Sequence, residues 1–316
     1  MGRYLLRRLL QAVFVLWAAY TVSFAVLYLL PGDPAEIMVA GGGDGIDISD
    51  EQLAEVRAEW GLDAPLTSQY LDRLTDAVGG DLGVSTQTGE QVVTMIADQL
   101  PATLQLTATA GALAVLLGAA VALAGVYTGR PWLRQLLLSL PALGASAPTF
   151  WVGLLLIQLV SFRWGLLPAI GDQGWRSLIL PAVTLALPTA AVLGQVLAKS
   201  LATTLAEPYV ETALAKGASR ARVLLRHAVR NAALPAFTVL GVLVGNLLAG
   251  SVVVETVFSR TGVGRITANS VTVQDIPVVQ GLVVLGSVAF VLASLAVDLV
   301  YPLLDPRVTA GRAVAR

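Results

Sequence analysis

Charged residues are spaced along this chain so that six long intervals contain none: 9–30, 99–129, 135–162, 177–198, 231–254 and 276–297. Each interval holds at least 22 residues. At about 1.5 Å of rise per residue, a helix of that length reaches roughly 33 Å, enough for a hydrocarbon core of about 30 Å. The pattern predicts six membrane-spanning helices. Helices close their backbone hydrogen bonds internally, whereas an open strand would leave polar groups unpaired in lipid, so the expected fold is an all-α polytopic membrane protein. Arg3, Arg7 and Arg8 precede the first interval as they would in a secretory signal, but its apolar run is too long for one and "LLPGDPAEI" carries no small-x-small cleavage pattern. The first interval therefore reads as a retained span. The linear organisation is an N-terminus and first span at 1–30, an insertion at 31–98, and a five-helix core at 99–316.

The insertion is too patterned for a plain connection. It opens with turn residues, "PGDP" and then "GGGDG". In "SDEQLAEVRAEWG", Ser49 or Asp50 supplies an N-cap, acids fill the first turn and Gly61 supplies a stop. A second helix is expected over 65–78, giving a small helical cap.

Charge distribution orients the chain. Lys and Arg number 14 in segments 1–8, 130–134, 199–230 and 298–316, and 6 in the alternate ones. Cytoplasmic flanks carry the cationic excess, so both termini are expected in the cytoplasm and the cap outside. The cap segment holds 14 Asp and Glu against only Arg57 and Arg73. Overall composition, 56% hydrophobic and 13% charged with a positive mean hydropathy, agrees with a membrane protein. There is no cysteine and one histidine, His227, which excludes disulfides, thiolate clusters and a histidine-built zinc site.

A charge at mid-bilayer costs about 2.5–3.5 kcal/mol on insertion scales, and ion-coupled carriers advertise themselves by tolerating one. Glu255, Asp275 and Asp298 fall at the expected span ends, within reach of water or headgroups, which argues against proton coupling. A secondary carrier is the alternative class that such a mid-span group would have favoured. Small residues, Gly118 to Gly125 in the second span and Gly241, Gly245, Ala249 and Gly250 in the fifth, permit close helix approach. Asn246, Ser251 and Glu255 are candidates for a translocation pathway along the fifth span. Pro141, Pro148, Pro181 and Pro188 interrupt the third and fourth.

Between the fourth and fifth spans lies "VETALAKGASRARVLLRHAVRNAALP", cationic and without nucleophile or metal cluster. Arg222, Arg226 and Arg230 recur every four residues, while Ala221, Leu224, Leu225 and Ala228 favour another helical face. Gly217 suits a sharp corner between two short helices. Charge alone favours a basic helix lying on anionic headgroups.

The run Glu211-Thr212-Ala213-Leu214-Ala215-Lys216-Gly217 has an E-x-A-x3-G pattern, which resembles the E-A-A-x3-G coupling motif of membrane subunits of ATP-binding-cassette (ABC) importers. The surrounding "EPYVETALAKGASRARVLLRHAVRNAALP" is similar to the dipeptide/oligopeptide permease version. "LLPGDPAE", "GDLGVS", "LPATLQLT", "VVVETVFSRTGVGR", "DIPVVQG" and "DLVYPLLDPRV" extend the resemblance along the chain in order. Two departures stand out. His227, Val229 and Arg230 occupy positions where the wider motif ends I-x-L-P, with Leu234-Pro235 five residues later, as in peptide-type permeases. Thr261 replaces the usual proline before glycine.

The resemblance implies a type I importer-like permease subunit in a bacterial cytoplasmic membrane, forming half of a path for peptides or similar solutes. It implies a second homologous permease, two ATP-binding subunits or domains, an extracytoplasmic substrate-binding protein or lipoprotein, surrounding lipid, and no nucleic acid. Segment 201–230 would be the coupling segment, with Glu211, Ala213, Lys216, Gly217, Ala218, Arg222 and Arg226 meeting an ATPase partner and His227 on the nearby surface. No GxxxxGK[ST] loop is present, so ATP and Mg are expected on partner subunits, with no cofactor and no catalysis in this chain.

Overall fold

The computed structural model describes residues 2–29, 35–36, 49–172 and 174–304. The "PGDP" and "GGGDG" turns lie outside the described residues, as do the C-terminal residues after 304 and the side chain of Asp298. Helices account for nearly all of the described chain, and the β-structure there is one isolated bridge, Val84 to Gln91. The elements are α1 (Gly2–Leu29), α2 (Asp50–Glu59), α3 (Leu66–Gly79), α4 (Val92–Tyr127), α5 (Pro131–Ser146), α6 (Thr149–Arg163), α7 (Trp175–Leu205), α8 (Pro208–Ala215), α9 (Arg220–Val257), α10 (Val263–Thr272) and α11 (Ile276–Leu304). Two stretches are π-helical, Ile157–Arg163 at the end of α6 and Val223–Ala228 within α9.

Among the described residues, α1, α4, α7, α9 and α11 are each long and apolar enough to cross a membrane. The third charge-free interval is different from the single helix expected. It forms α5 and α6, bent by 102°, which together make the sixth crossing if counted as one span. Pro148 is the cause. A residue before proline is pushed out of the helical region, and Ala147 is extended at φ −80°, ψ 127°. Pro141, Pro181 and Pro188 instead stay within continuous helices.

Two compact units emerge. One comprises the described parts of Met1–Thr103 and Thr261–Val291, the other those of Leu104–Arg260 and Leu292–Arg316. In the first, the cap helices form as the sequence indicates. Ser49 caps α2 through a reciprocal box with Gln52, and Gly61 follows the helix at φ +63°. Helix α3 packs Tyr70, Leu74 and Ala77 against Tyr20, Phe24, Tyr28 and Ile276. Arg73 stacks over Tyr28, 4.8 Å from the ring centroid, and donates to its hydroxyl. The cap is thus tied to α1 and to the start of α11.

Asp275, expected at a water-accessible span end, is instead buried at 2% exposure. Ser85 Oγ donates to Oδ2 at 2.5 Å, and the Thr86 amide and hydroxyl donate to Oδ1 at 3.3 Å. Ser85 Oγ in turn accepts from the amides of Gln87 and Thr88. A charge at this depth is tolerated because its oxygens are hydrogen-bonded. The turn leading into α4 is therefore pinned to the start of α11.

In the second unit α7 is central. Two-thirds of its most apolar window is enclosed, against 17% for α1. Four partners meet it at glycine, α5 through Gly144 against Ala191. A Cβ on Gly118 of α4 would lie 2.8 Å from the Ala190 carbonyl and 3.1 Å from the Gly194 nitrogen. Gly153 of α6 sits against Thr184, and Gly250 of α9 against Leu185. The core around α7 includes Leu106, Ala110, Ala114, Leu180, Ala186, Leu247 and Phe258.

Helix α9 ends in a left-handed Ser259, φ +47°, with Arg260 N donating to Glu255 O and Ser259 N to Thr256 O. This pair of bonds is a Schellman turn. Buried Arg260 then pairs with Asp172 at 3.0 Å and reaches Gln105 Oε1 at 3.5 Å. Glu255, also expected at an accessible end, is fully enclosed at 0% exposure.

Three substitutions test this packing. Gly118→Val should destabilise the protein by about 1–3 kcal/mol, because rigid backbone faces the new side chain. Gly286→Ala, which meets nothing within 4 Å, should be neutral or slightly stabilising in the same detergent melts. Asp275→Ala should lower stability by about 1–3 kcal/mol and speed hydrogen exchange at Gln87 and Thr88.

Candidate functional site

The segment between α7 and α9 folds as an elbow. Helix α7 ends at Leu205, Glu207 is extended at ψ 143°, and Pro208 opens α8 at a position where its missing donor costs nothing. Glu211 stands in the first turn of α8, where the helix dipole favours an acid. This helix too closes in a Schellman turn. Ala218 N donates to Ala213 O at 3.1 Å and Gly217 N to Leu214 O at 2.9 Å, with Gly217 at φ +84°. Ser219 then caps α9, its hydroxyl accepting from Arg222 N. Only Ser219 thus separates the end of this turn from the start of the next helix.

Burial divides the elbow into an anchor and a free face. Val210, Val223, Leu224 and Ala228 are buried, and Leu224 and Ala228 pack with Ala122, Leu201 and Ala232. Tyr209 Oη accepts from Asn231 Nδ2 at 3.2 Å. On the free face, Glu211, Lys216, Gly217, Arg222, Arg226 and Arg230 are exposed, while Ala213, Ala218 and His227 are half-buried. A cavity of about 180 Å³ lies beside α8, lined mainly by Val126, Leu205, Val210, Leu214 and Val223. Leu214 is exposed at its rim.

The expected apolar face of α9 needs one change. Leu224 and Ala228 turn inward, but Leu225 is exposed, since the π-helical turn over Val223–Ala228 alters which side chains share a face. The anchor residues Val210 and Val223 and the Ser219 cap were readable in principle: Ser219 precedes a helix-forming run, and a serine there is a capping signal.

The three residues placed on the fifth span do not come together. Asn246 faces outward from the chain, whereas Ser251 and Glu255, one helical turn apart, face inward. Ser251 Oγ donates to Leu248 O at 2.7 Å. Among the described residues no group of His, Asp and Glu is placed to hold a metal ion.

Residues 114–310 match the family described as "Binding-protein-dependent transport system inner membrane component", and residues 1–107 match its N-terminal companion. The chain belongs to this family. It is 38% identical over 308 residues to the glutathione transport system permease protein GsiC of Escherichia coli O6:H1, covering 98% of this chain and 99% of that one. The Salmonella typhimurium protein of the same name is equally similar. Among solved structures, an amino acid ABC transporter matches 66% of this chain and 93% of its own with a TM-score of 0.52 at 18% identity. The MetNI methionine ABC transporter in an inward-facing form matches with a TM-score of 0.51 at 17% identity, covering 67% and 96%. These structural matches carry the fold alone. This chain is therefore a multi-pass inner-membrane permease subunit of an ABC importer of the peptide/oligopeptide type, a transport component and not an enzyme.

The elbow itself yields a ranking. No atom lies within 4 Å of a Cβ placed on Gly217, so substitutions there are limited by the backbone dihedral and not by space. Gly217→Val should weaken the turn by about 1–2 kcal/mol, and Gly217→Asn, which tolerates this conformation, by less. Hydrogen exchange at Gly217 and Ala218 measures the difference.

Proposed function

We propose that the elbow is the docking point for an ATP-hydrolysing partner and that the importer carries peptides or similar small solutes. The observation that carries this reading is the free face of α8. Glu211 and Lys216 are presented outward by a short helix whose other side is fixed through Val210 and whose end is locked by the turn at Gly217. A short, well-anchored helix transmits displacement; a flexible loop would absorb it.

In this reading Glu211, Lys216, Arg222 and Arg226 supply polar partners for the ATPase subunit, Leu214 fills an apolar socket, and Ala213 and Ala218 keep the contact close. Nucleotide and Mg bind on the two ATPase subunits. A second homologous permease completes the path, a substrate-binding protein delivers the solute from outside, and both termini lie in the cytoplasm. ATP shifts the inward–outward equilibrium only through contacts that differ between the two states, and the docked elbow supplies them. Asn246, directed out of the chain along α9, faces the shared path, while Ser251 and Glu255 hold α9 in place from its inner side. The relatives' transport of glutathione supports a peptide-class solute.

The chain has no cysteine, so Leu214→Cys gives a single site for cross-linking. It should cross-link to the ATPase subunit in membranes containing the whole importer. Glu211→Lys combined with Leu214→Asp should lower uptake about tenfold or more at unchanged membrane level. Uptake at the parental rate, or a cross-link only to lipid, would overturn the docking role.

A further inference from the structure

The loop between α6 and α7 lies at the end of its unit opposite the elbow, because α7 runs from this loop to Leu205 at the elbow. It is held firmly. Leu166 N donates to Val160 O at 3.0 Å, Gly171 N donates to Phe258 O at 3.1 Å, and Asp172 pairs with buried Arg260 at 3.0 Å. Leu167 and Ala169 pack inward against the core around α7.

The other side of the loop is apolar and open. Trp164, Leu166, Ile170 and Trp175 are 56–72% exposed, and the pinned backbone keeps them outside. An exposed apolar surface rimmed by polar residues marks contact with a membrane or with a protein. Two observations favour the membrane. Arg163 and Arg176 bound the charge-free intervals 135–162 and 177–198, so the loop joins two spans where hydrocarbon gives way to headgroups. The side chains found there are those this level selects: tryptophan, with an apolar body and a polar N–H, and arginine, whose planar fork matches phosphate. Arg176 Nη2 donates to Leu166 O at 2.7 Å, which holds its guanidinium beside the apolar row. The one acid of segment 163–176, Asp172, is paired with Arg260, which leaves the segment's net charge to Arg163 and Arg176.

We propose that this loop is a phospholipid clamp. Trp164, Leu166, Ile170 and Trp175 enter the boundary between acyl chains and headgroups, and Arg163 and Arg176 bind headgroup phosphates. Because Phe258 and Arg260 pin the loop to the end of α9, the clamp also fixes that end of α9 in the bilayer, at the far end of the helix from the elbow. The inference does not rest on the coupling reading, since the clamp would bind lipid whatever the elbow docks.

The chain has no cysteine, so Ile170→Cys carries a single nitroxide label and Thr75→Cys, on the exposed side of α3, gives a reference. Paramagnetic resonance reads collisions with oxygen, which concentrates in hydrocarbon, and with a water-soluble nickel chelate. The full chain is measured in nanodiscs of phosphatidylcholine and phosphatidylglycerol, and again with the whole importer assembled. The oxygen-to-nickel ratio at position 170 should exceed that at position 75 by about tenfold in both. Trp164→Ser with Trp175→Ser should lower the ratio at position 170 by about threefold. Arg163→Gln should lower it by about twofold in phospholipid, and leave it unchanged in digalactosyldiacylglycerol, which lacks phosphate. A label protected from both agents in either preparation would show that protein covers the loop, and a label open to the nickel chelate would show that it stands in water. Either result, or an Arg163→Gln effect equal in the two lipids, would overturn the proposal. Uptake plays no part in these readings, so their failure is distinct from a failure of coupling.

Discussion

Close backbone approach to α7 is the constraint on which the second unit depends. In lipid, apolar side chains gain little by leaving one hydrocarbon surface for another, so helices associate through dispersion contacts that require small residues at the crossing. Gly118 supplies this on α4, Gly144 on α5, Gly153 on α6 and Gly250 on α9, all meeting α7 between Thr184 and Gly194. With α7 enclosed from several sides, the remaining helices can present apolar faces outward, as Leu116 on α4 and Val242 on α9 do. These faces suit lipid or a neighbouring subunit.

Helix ends are the second recurring device. Schellman turns close α2 at Gly61, α3 at Gly80, α8 at Gly217, α9 at Ser259 and α10 at Gln274, where Asp275 N donates to Ser270 O and Gln274 N to Val271 O. In the last two the left-handed residue is not glycine, which costs about 1–2 kcal/mol of backbone strain. The residue that follows each of them is a buried ion, Arg260 or Asp275, and its bonds hold the turn in place. The turn at Gly217 has no such ion, and the residues around it stay exposed. The same local geometry thus locks the corners at Ser259 and Gln274 and leaves the one at Gly217 exposed.

Much of this was legible in local sequence because the signals act over a few residues. Ser49 and Gly61 bracket α2 through capping and a left-handed stop, and the expected helix over 65–78 forms as Leu66–Gly79. The corner at Gly217 follows from glycine's freedom at positive φ. The burial of Glu255 and Asp275 is not legible in this way, because position relative to a charge-free interval does not reveal burial. Asp275 lies 190 residues from the Ser85 hydroxyl that satisfies it. The bend at Pro148 was visible as a proline, but α7 carries two prolines without breaking, so the residue type alone does not decide between a kink and a continuous helix.

By itself, the sequence determined that the chain crosses a membrane repeatedly as helices, since charge-free length and backbone satisfaction in lipid leave no other solution. It also determined the place of the elbow and the chain's membership of an importer family, through residues close together or in fixed order. Only the tertiary structure decided which helix is central, which side of α8 is anchored, and that Glu255 and Asp275 are buried. Those facts depend on which distant segments meet, and a local pattern carries no information about its partner across the fold.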